Sequence, residues 1–240
     1  MKLSLVIPCY NEARSIPDLA RRCRDVLLSE PDGEIILVDN GSTDDSPAVL
    51  EQAVAGAGGL RSIRVPVNQG YGHGILSGLA AAQGDILGWT HADLQTDPMD
   101  AVRGLELFRR AADPSQLFVK GQRYGRRFSD VAFTTGMSAF ETMLMLRPLR
   151  DINAQPTLFP RSLFERWRSP PDDFALDLYA YVSAKAAGLE VRRFPVRFGE
   201  RVHGVSHWNV DWKSKVKFIR RTMDYSLRLR RELAAGGSGF

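Results

Sequence analysis

The N-terminal part of the chain alternates short apolar runs with helical patterns, and this alternation constrains the fold more than any other feature. Each of four runs is rich in Ile, Leu and Val, and after each come a loop and then apolar residues at helical spacing. The four runs are residues 3–8, 34–39, 63–67 and 86–90. Continuous apolar runs are typical of strands that are covered on both faces. The alternation predicts an α/β fold with a mostly parallel, doubly wound sheet.

The second half of the chain continues the pattern less regularly. Further strands are predicted at residues 117–120, 157–160 and 190–199, and residues 121–130 are predicted to form a basic loop. Helices are predicted at residues 133–146 and 173–188. A last amphipathic helix is predicted from Trp212 onward. We expect one large α/β domain over residues 1–209, followed by a basic helix and tail over residues 210–240.

A short polar stretch, HADLQTDP, follows the fourth apolar run and spans residues 91–98. It places Asp93 and Gln95 at the end of a strand, which is the edge where open α/β sheets bind their ligands. Two oxygen ligands spaced in this way can share one hard cation, such as Mg²⁺ or Mn²⁺. The alternative is an acidic turn that only caps the next helix, because short motifs often occur by chance.

Charge is distributed unevenly along the chain. The net charge is +4, yet residues 213–231 hold eight basic residues and one acid, a local charge of +7, which leaves −3 for the rest. Such a basic segment indicates an anionic partner, and the absence of a recognised nucleic-acid motif favours a membrane surface over nucleic acid. The alternative is that the apolar stripe of this helix packs on the rest of the protein while its charges face solvent.

The remaining features indicate a cytoplasmic protein, peripheral on the inner membrane face if the basic helix binds there. No apolar run approaches the ~20 residues of a membrane span, and the first run is too short for a signal peptide. The two cysteines, Cys9 and Cys23, lie in apolar patterns. We expect them to be buried free thiols, as is usual in a reducing compartment.

Six stretches in order make the chain resemble the inverting GT-A glycosyltransferases of family 2, especially the dolichyl-phosphate mannose synthase type. They are VIPCYNE, LVDNGSTDDS, NQGYGHGILSGLAAAQGD, HADLQTDP, KGQRYG and FGERVHGVSHW. The resemblance implies the GT-A fold, which is Rossmann-like with a mostly parallel sheet and helices on both faces. Here a C-terminal amphipathic helix is added. It also implies a nucleoside-diphosphate sugar, GDP- or UDP-linked, as the donor.

The resemblance assigns the donor-binding residues to the loops after the first two strands and to the glycine-rich loop. Pro8, Tyr10, Glu12 and Asp39 match positions that hold the base and ribose. A carboxylate can accept hydrogen bonds from either group, and a tyrosine ring can stack on a base. Gly70 would let the backbone approach the donor, although a plain turn that needs positive φ explains the glycine equally well.

The metal motif of the family is D-x-D followed by x-Q, and this chain has His91 in place of the first acid. The resemblance implies that Asp93 and Gln95 contact the Mg²⁺ or Mn²⁺ that bridges the diphosphate, with Asp93 also contacting the donor. His91 is assigned to the donor site, where it can bond the ribose or bind the metal as neutral imidazole. The remaining alternative is that His91 weakens the affinity of this motif for the metal and so reduces the metal requirement.

Other residues match positions around the phosphates and the acceptor. Arg123 in KGQRYG and Arg201 in FGERVHGVSHW match positions that hold phosphates, for which bidentate arginine is well suited. Asp151 matches an acid of the family and is the candidate base if the acceptor is a hydroxyl. Alternative bases are Asp172, Asp173 and Asp177.

The acceptor class is predicted from the residues that follow Asp151, where two features of the family are missing. Residues 153–157 read NAQPT where the family has a Gly-Phe segment, and no Glu-Asp pair that could serve as a base occurs there. A polyprenyl phosphate needs no base, because it is already an anion. We therefore expect an inverting hexosyltransferase that acts on a polyprenyl phosphate at the membrane. Two alternatives stay open: transfer to a sugar hydroxyl of a glycan or lipid-linked saccharide, and a catalytically inactive nucleotide-sugar-binding module.

Overall fold

One sheet of seven strands runs through the protein. The computed structural model describes residues 1–200 and 212–234, and in the second range the side chains of residues 220–233. The strands are β1 (Leu3–Cys9), β2 (Glu34–Asn40), β3 (Leu60–Val65), β4 (Ile86–Trp89), β5 (Leu117–Tyr124), β6 (Thr157–Pro160) and β7 (Glu190–Arg197). The helices are α1 (Ile16–Ser29), α2 (Ser46–Val54), α3 (Tyr71–Ala81), α4 (Asp100–Arg109), α5 (Phe128–Met145), α6 (Arg161–Phe164), α7 (Leu176–Ala186) and α8 (Trp212–Ala234).

The strand order is β3-β2-β1-β4-β6-β5-β7. Every neighbouring pair is parallel except the two pairs that involve β6, which runs antiparallel to β4 and to β5. The mostly parallel sheet predicted from the sequence is confirmed. Of the seven strands, β6 is the one that runs opposite to the others. The carboxyl ends of β1, β2, β4, β5 and β7 therefore lie at one edge of the sheet, together with the beginning of β6.

Helices cover both faces of the sheet, as predicted. On one face α1, α2 and α4 pack against side chains such as Leu5 and Ile7 of β1. On the other face α3, α7 and the ends of α5 and α8 pack against side chains such as Val6 and Val38. Successive side chains of β1 point to opposite faces of the sheet, because a strand has a two-residue period. A strand that is buried on both faces is therefore continuously apolar.

Two local predictions differ from the structure. Residues 121–124 belong to β5 rather than to a loop, because β5 pairs with β7 as far as Tyr124 opposite Arg197. α5 begins at Phe128, earlier than the predicted residue 133.

Two further predictions concern the cysteines and the membrane. Cys9 and Cys23 are buried and unpaired, as predicted, and burial raises the pKa of both thiols. Among the described residues there is no helix with the length and apolar character needed to span a bilayer. The domain boundary at residue 209 lies outside the described residues and stays a prediction.

Candidate active site

The carboxyl ends of β1 and β2 form one side of the site. Cys9 pairs in register with Asp39, so the loop after β1 begins beside that carboxylate, next to the partly exposed Pro8. Asp39 Oδ1 accepts a hydrogen bond from the backbone N–H of Ser42 at 2.9 Å. Asp39 Oδ2 lies 3.2 Å from Arg64 Nε without hydrogen-bond geometry, and it accepts no hydrogen bond within the described residues. This buried oxygen is therefore available to a hydroxyl or amine of a ligand.

Side-chain contacts fix the loop after β1 to the loop after β2. Asn11 Oδ1 accepts from the backbone N–H of Thr43 at 2.9 Å, and the backbone N–H of Glu12 donates to Ser46 Oγ at 2.8 Å. These contacts leave Tyr10 41% exposed at the edge of the sheet. An exposed aromatic ring beside a buried carboxylate is suited to a nucleoside, because the ring can stack on a base while the carboxylate accepts its hydrogen bonds.

The glycine-rich loop before α3 is shaped by a close approach within the protein. Gly70 has φ of 124°, and a Cβ there would lie 2.3 Å from the carbonyl oxygen of Asp172. A Cβ on Gly72 would lie 2.5 Å from the carbonyl oxygen of Pro171. The backbone of residues 171–172 therefore lies too close for any side chain at these two positions, and both must be glycine. The donor-binding role of Gly70 stays a prediction.

In the HADLQTDP turn, the acid next to α4 is distinct from the predicted metal ligands. Asp97 Oδ1 accepts from the backbone N–H of Met99 at 3.0 Å, just before α4. Asp93 is 8% exposed, and its Oδ1 accepts from the backbone N–H of Gln95 at 3.1 Å. Gln95 is tied to the loop after β7, since its Nε2 donates to the carbonyl of Gly199 at 3.2 Å. No side chain caps α4, so the alternative in which this stretch is only an acidic helix cap is not what the structure has.

An aromatic stack connects the HADLQTDP turn with the segment before α7. His91 stacks on Tyr71 with ring centroids 5.4 Å apart, and Tyr71 stacks on Phe174 at 4.7 Å. Phe174 in turn lines the cavity described below. The stack orients the His91 ring, which stands where the family has an acid. Sequence reasoning missed Tyr71 and Phe174, because nothing local indicates that residues this far apart in the chain would stack.

Arg123 and Asp151 form the central ion pair of the site. Arg123 Nε donates to Asp151 Oδ1 at 3.0 Å and its backbone N–H donates to Oδ2 at 3.1 Å, while Arg126 Nη2 lies 3.6 Å from Oδ1. Burial would raise the pKa of Asp151, but the hydrogen bonds and charge of Arg123, together with the charge of Arg126, hold it below its ordinary value. A carboxylate held in this way is a weak base.

A cavity of about 70 Å³ opens beside this ion pair, between α5, the beginning of α7 and α8. Its walls are largely apolar, with Phe133, Met137 and Phe174 among them, and Arg123 also lines it. Glu141 also lines it and is 1% exposed; its Oε1 accepts from Ser226 Oγ at 2.7 Å, and burial raises its pKa. The sequence held a signal for Glu141, which is the single charged residue between positions 131 and 146.

The three alternative acids are all engaged within the protein. Asp172 Oδ1 lies 3.3 Å from His73 Nδ1, and Asp173 Oδ2 lies 2.8 Å from Arg221 Nη2 on α8. Asp177 is 1% exposed, and its Oδ1 accepts from Gln155 Nε2 at 2.7 Å. Asp177 lies in the protein interior, which makes it unsuited to meeting an acceptor directly.

Asp177 belongs to a buried polar cluster with Lys120. The ammonium of Lys120 donates to Thr157 Oγ1 at 2.6 Å and lies 3.7 Å from Asp177 Oδ1. Lys120 is 0% exposed, and burial lowers its pKa to about 8 although Asp177 opposes that change. The cluster joins β5, β6 and α7 beneath the site, so it fixes the position of the segment that carries Gln155.

We expect Lys120→Met to lower the free energy of unfolding by about 3 kcal/mol, because it leaves Asp177 charged and buried without its cation. Urea unfolding measures this loss. The double variant Lys120→Met/Asp177→Leu should recover much of it.

In the native state Lys120 releases its proton at lower pH than in the unfolded chain, so its contribution makes wild-type stability rise between about pH 8 and 10. A single variant as stable as the wild type would refute the account.

One predicted site residue lies outside the described residues. This is Arg201, together with the rest of the late motif that contains it. The structure brings the other predicted residues to one edge of the sheet, on the loops after β1, β2, β3 and β4 and beside β5 and β6. The sheet order and this concentration of polar side chains at one edge are the features of the GT-A class.

Comparisons with known proteins agree with this class. Glycosyl transferase family 2 matches residues 4–166, more than half of the chain, and the protein belongs to that family. It is also similar to solved structures that confirm the fold. Glucosyl-3-phosphoglycerate synthase from Mycobacterium tuberculosis, in complex with Mn²⁺, UDP and glucosyl-3-phosphoglycerate, superposes with a TM-score of 0.68 at 22% identity, over 95% of this chain and 79% of that one. The mannosyltransferase PcManGT from Pyrobaculum calidifontis, in complex with GDP-Man and Mn²⁺, gives 0.69 at 20% identity, over 94% and 64%.

Curated relatives share higher sequence identity over shorter spans. The undecaprenyl-phosphate 4-deoxy-4-formamido-L-arabinose transferase of Sodalis glossinidius (strain morsitans) is 41% identical over 112 residues, which is 44% of this chain and 33% of that protein. The transferase with the same name from Pseudomonas fluorescens (strain Pf0-1) is 30% identical over 219 residues, which is 86% of this chain and 60% of that protein. The chain thus spans less than two thirds of the length of these relatives.

Proposed function

We propose that the protein transfers a sugar, with inversion, from a GDP- or UDP-linked donor to a polyprenyl phosphate. The observation that carries the proposal is the ion pairing of Asp151 with Arg123 and Arg126, which makes the predicted base a poor proton acceptor. A phosphate acceptor needs no base, because its oxygen is already anionic. The names of the undecaprenyl-phosphate transferases to which the chain is similar support the same acceptor class.

The donor occupies the edge formed by β1, β2 and β4. Tyr10 stacks on the base, and Asp39 Oδ2, which accepts no hydrogen bond within the described residues, accepts one from the base or ribose. Pro8, Glu12 and Gly70 complete this side of the donor pocket.

Asp93 and Gln95 hold a divalent cation, Mg²⁺ or Mn²⁺. Carboxylate and amide oxygens are the ligands that these cations prefer. The described residues contain no group of three His, Cys, Asp or Glu that could hold a metal, and Asp93 with Gln95 would supply two oxygen ligands to the cation. When bound, the cation neutralises charge on the leaving nucleoside diphosphate. The similar structures that contain Mn²⁺ support this use of the site.

The acceptor phosphate enters the cavity between α5 and α8 and meets Arg123. One of its oxygens forms a bond to C1 of the sugar while the bond from C1 to the diphosphate oxygen breaks, and no proton needs to be removed. Asp151 positions Arg123 for this contact by accepting its hydrogen bonds. Arg201 adds a second arginine to the phosphates. The helix in residues 210–233 contacts the membrane, and the reaction takes place at the cytoplasmic face.

Donor binding is tested with a panel of GDP- and UDP-linked sugars, with and without Mn²⁺, by thermal shift. At a hundredfold excess over its dissociation constant, a bound donor stabilises the native state by about 2.7 kcal/mol. We expect one donor to raise the melting temperature only when Mn²⁺ is present. Equal shifts without metal would refute the cation role of Asp93 and Gln95. Binding without turnover would favour an inactive nucleotide-sugar-binding module.

One observation favours the second candidate, transfer to a sugar hydroxyl. Glu141 lines the cavity and has a raised pKa, which is the property of a general base. If the acceptor is a phosphate, Glu141→Gln should keep kcat within about threefold, because the amide preserves the shape and the bond from Ser226. A loss of roughly 10²-fold or more in kcat would instead assign Glu141 as the base for a hydroxyl acceptor.

A further inference from the structure

The cavity beside Arg123 contains an acid that the ion pair of the site does not use. Glu141 lies on the buried side of α5 and is 1% exposed. One of its carboxyl oxygens, Oε1, accepts from Ser226 Oγ at 2.7 Å, which joins α5 to α8. The other oxygen, Oε2, is buried and has no hydrogen-bond partner within the described residues. Because a buried polar atom without a partner is costly, this oxygen indicates a contact that a ligand completes.

The charges in this cavity are an arginine and an acid that are held apart. Within the described part of the chain, Arg123 and Glu141 are the only charged residues that line it, and the remaining walls are apolar or uncharged. No ion pair joins the two there, since Arg123 is held by Asp151 and Glu141 by Ser226. A ligand in the cavity would therefore have a guanidinium and a carboxyl group available to it.

The surroundings of Glu141 favour its protonated form. Burial raises its pKa, and the hydrogen bond from Ser226 opposes that change only in part. The other charged groups near the cavity are engaged in ion pairs of their own: Arg123 and Arg126 with Asp151, and Arg221 of α8 with Asp173. A protonated carboxyl group can donate a hydrogen bond, whereas a carboxylate can only accept one.

A donor at this position matches a phosphate. A phosphate monoester accepts hydrogen bonds, and its second pKa is about 6, so it can itself carry one proton. The contact between a phosphate oxygen and Glu141 needs a single proton, which either partner can supply. A carboxylate that faced a fully ionised phosphate would instead repel it. The binding of a phosphate beside Glu141 should therefore weaken as pH rises.

We propose that Glu141 is an acceptor-binding residue, whose Oε2 carries a proton and donates a hydrogen bond to the acceptor phosphate that Arg123 also contacts. The phosphate site stands on the cavity and its two charged residues, and its use for a polyprenyl phosphate rests on the proposed function. In this role Glu141 gives a hydrogen bond and takes no proton from the acceptor.

The test is calorimetric titration with geranyl phosphate, a soluble isoprenoid phosphate, between about pH 5.5 and 8.5, which spans the second ionisation of the phosphate. Glu141→Gln keeps a donor at every pH, and its amide oxygen still accepts from Ser226. We expect the wild type and this variant to have dissociation constants within about twofold at the acid end. At the basic end the wild type should bind at least about tenfold more weakly, the size expected for a hydrogen bond to a charged group.

Two further variants separate ligand binding from a structural role. Glu141→Leu removes the donor and should raise the dissociation constant at least about tenfold at the acid end. Ser226→Ala is the matched control, because it removes the bond between α5 and α8 but keeps the carboxyl group, and it should bind as the wild type does. Inorganic phosphate should show the same pH trend with weaker binding, since it has no chain to bury against the apolar walls.

Three results would overturn the proposal: no binding of geranyl phosphate, equal dissociation constants for the wild type and Glu141→Gln at every pH, or the same loss in Ser226→Ala as in Glu141→Leu. If the expected pattern appears but no donor gives transfer to a polyprenyl phosphate, the phosphate site stands and the proposed function fails. If transfer to the phosphate occurs without the pH pattern, the proposed function stands and Glu141 is not an acceptor-binding residue.

Discussion

Asp93→Asn lowers kcat/KM for sugar transfer by roughly 10³-fold, the size expected when a group that stabilises developing charge is removed. The amide oxygen can still accept from the backbone N–H of Gln95, so the turn is kept while the negative charge beside the cation is lost. Steady-state kinetics at saturating Mn²⁺ measure the effect, and donor thermal shifts show whether donor affinity falls with it.

The control for this result is Asp97→Asn in the same stretch. Asp97 accepts from the backbone N–H of Met99 in the turn before α4 and pairs with Arg22, so its replacement should lower stability by about 1 kcal/mol and leave transfer nearly unchanged. If Asp93→Asn kept activity within tenfold of the wild type, or if the two variants lost activity equally, HADLQTDP would be only a structural turn.

Replacing Arg123 by Lys is expected to lower kcat roughly 10²-fold, because an ammonium cannot reproduce the planar, bidentate contact of a guanidinium with phosphate and carboxylate. Asp151→Asn should cost less, roughly tenfold, because the amide oxygen still accepts one N–H from Arg123. Kinetics at saturating donor, with acceptor concentration varied, separate the two effects.

The order of these two losses distinguishes the possible roles of Asp151. A positioning residue gives a smaller loss of kcat than the arginine that it holds, whereas a general base gives a larger one.

The ion pair between Arg123 and Asp151 also affects the stability of the fold. Because the pKa of Asp151 is lowered on folding, the pair stabilises the native state above about pH 4, and this contribution disappears as pH falls through the lower native value. Asp151→Asn should therefore flatten the acid side of the stability curve.

The parts of the fold that were predictable are those whose pattern is local. β1, β2 and β4 are buried on both faces, which makes them continuously apolar and recognisable without knowledge of their neighbours. Asp39 and Asp93 could then be placed at strand ends by position alone. The resemblance to family 2 added roles for these residues that periodicity does not supply.

The remaining features depend on distant partners. Residues 121–124 read as a basic loop, and only pairing with β7 makes them a strand. Tyr71, His91 and Phe174 come together from three separate loops and helices, so no spacing in the sequence predicts their stack.

The most direct test of the account is to incubate the protein with labelled GDP- and UDP-linked sugars, Mn²⁺ and either undecaprenyl phosphate or the corresponding free alcohol. The account predicts labelled lipid product from the phosphate only, with inverted configuration at C1, and its loss in Asp93→Asn. Transfer to the free alcohol or to saccharides but not to the phosphate, or donor binding with no transfer to any acceptor, would contradict it.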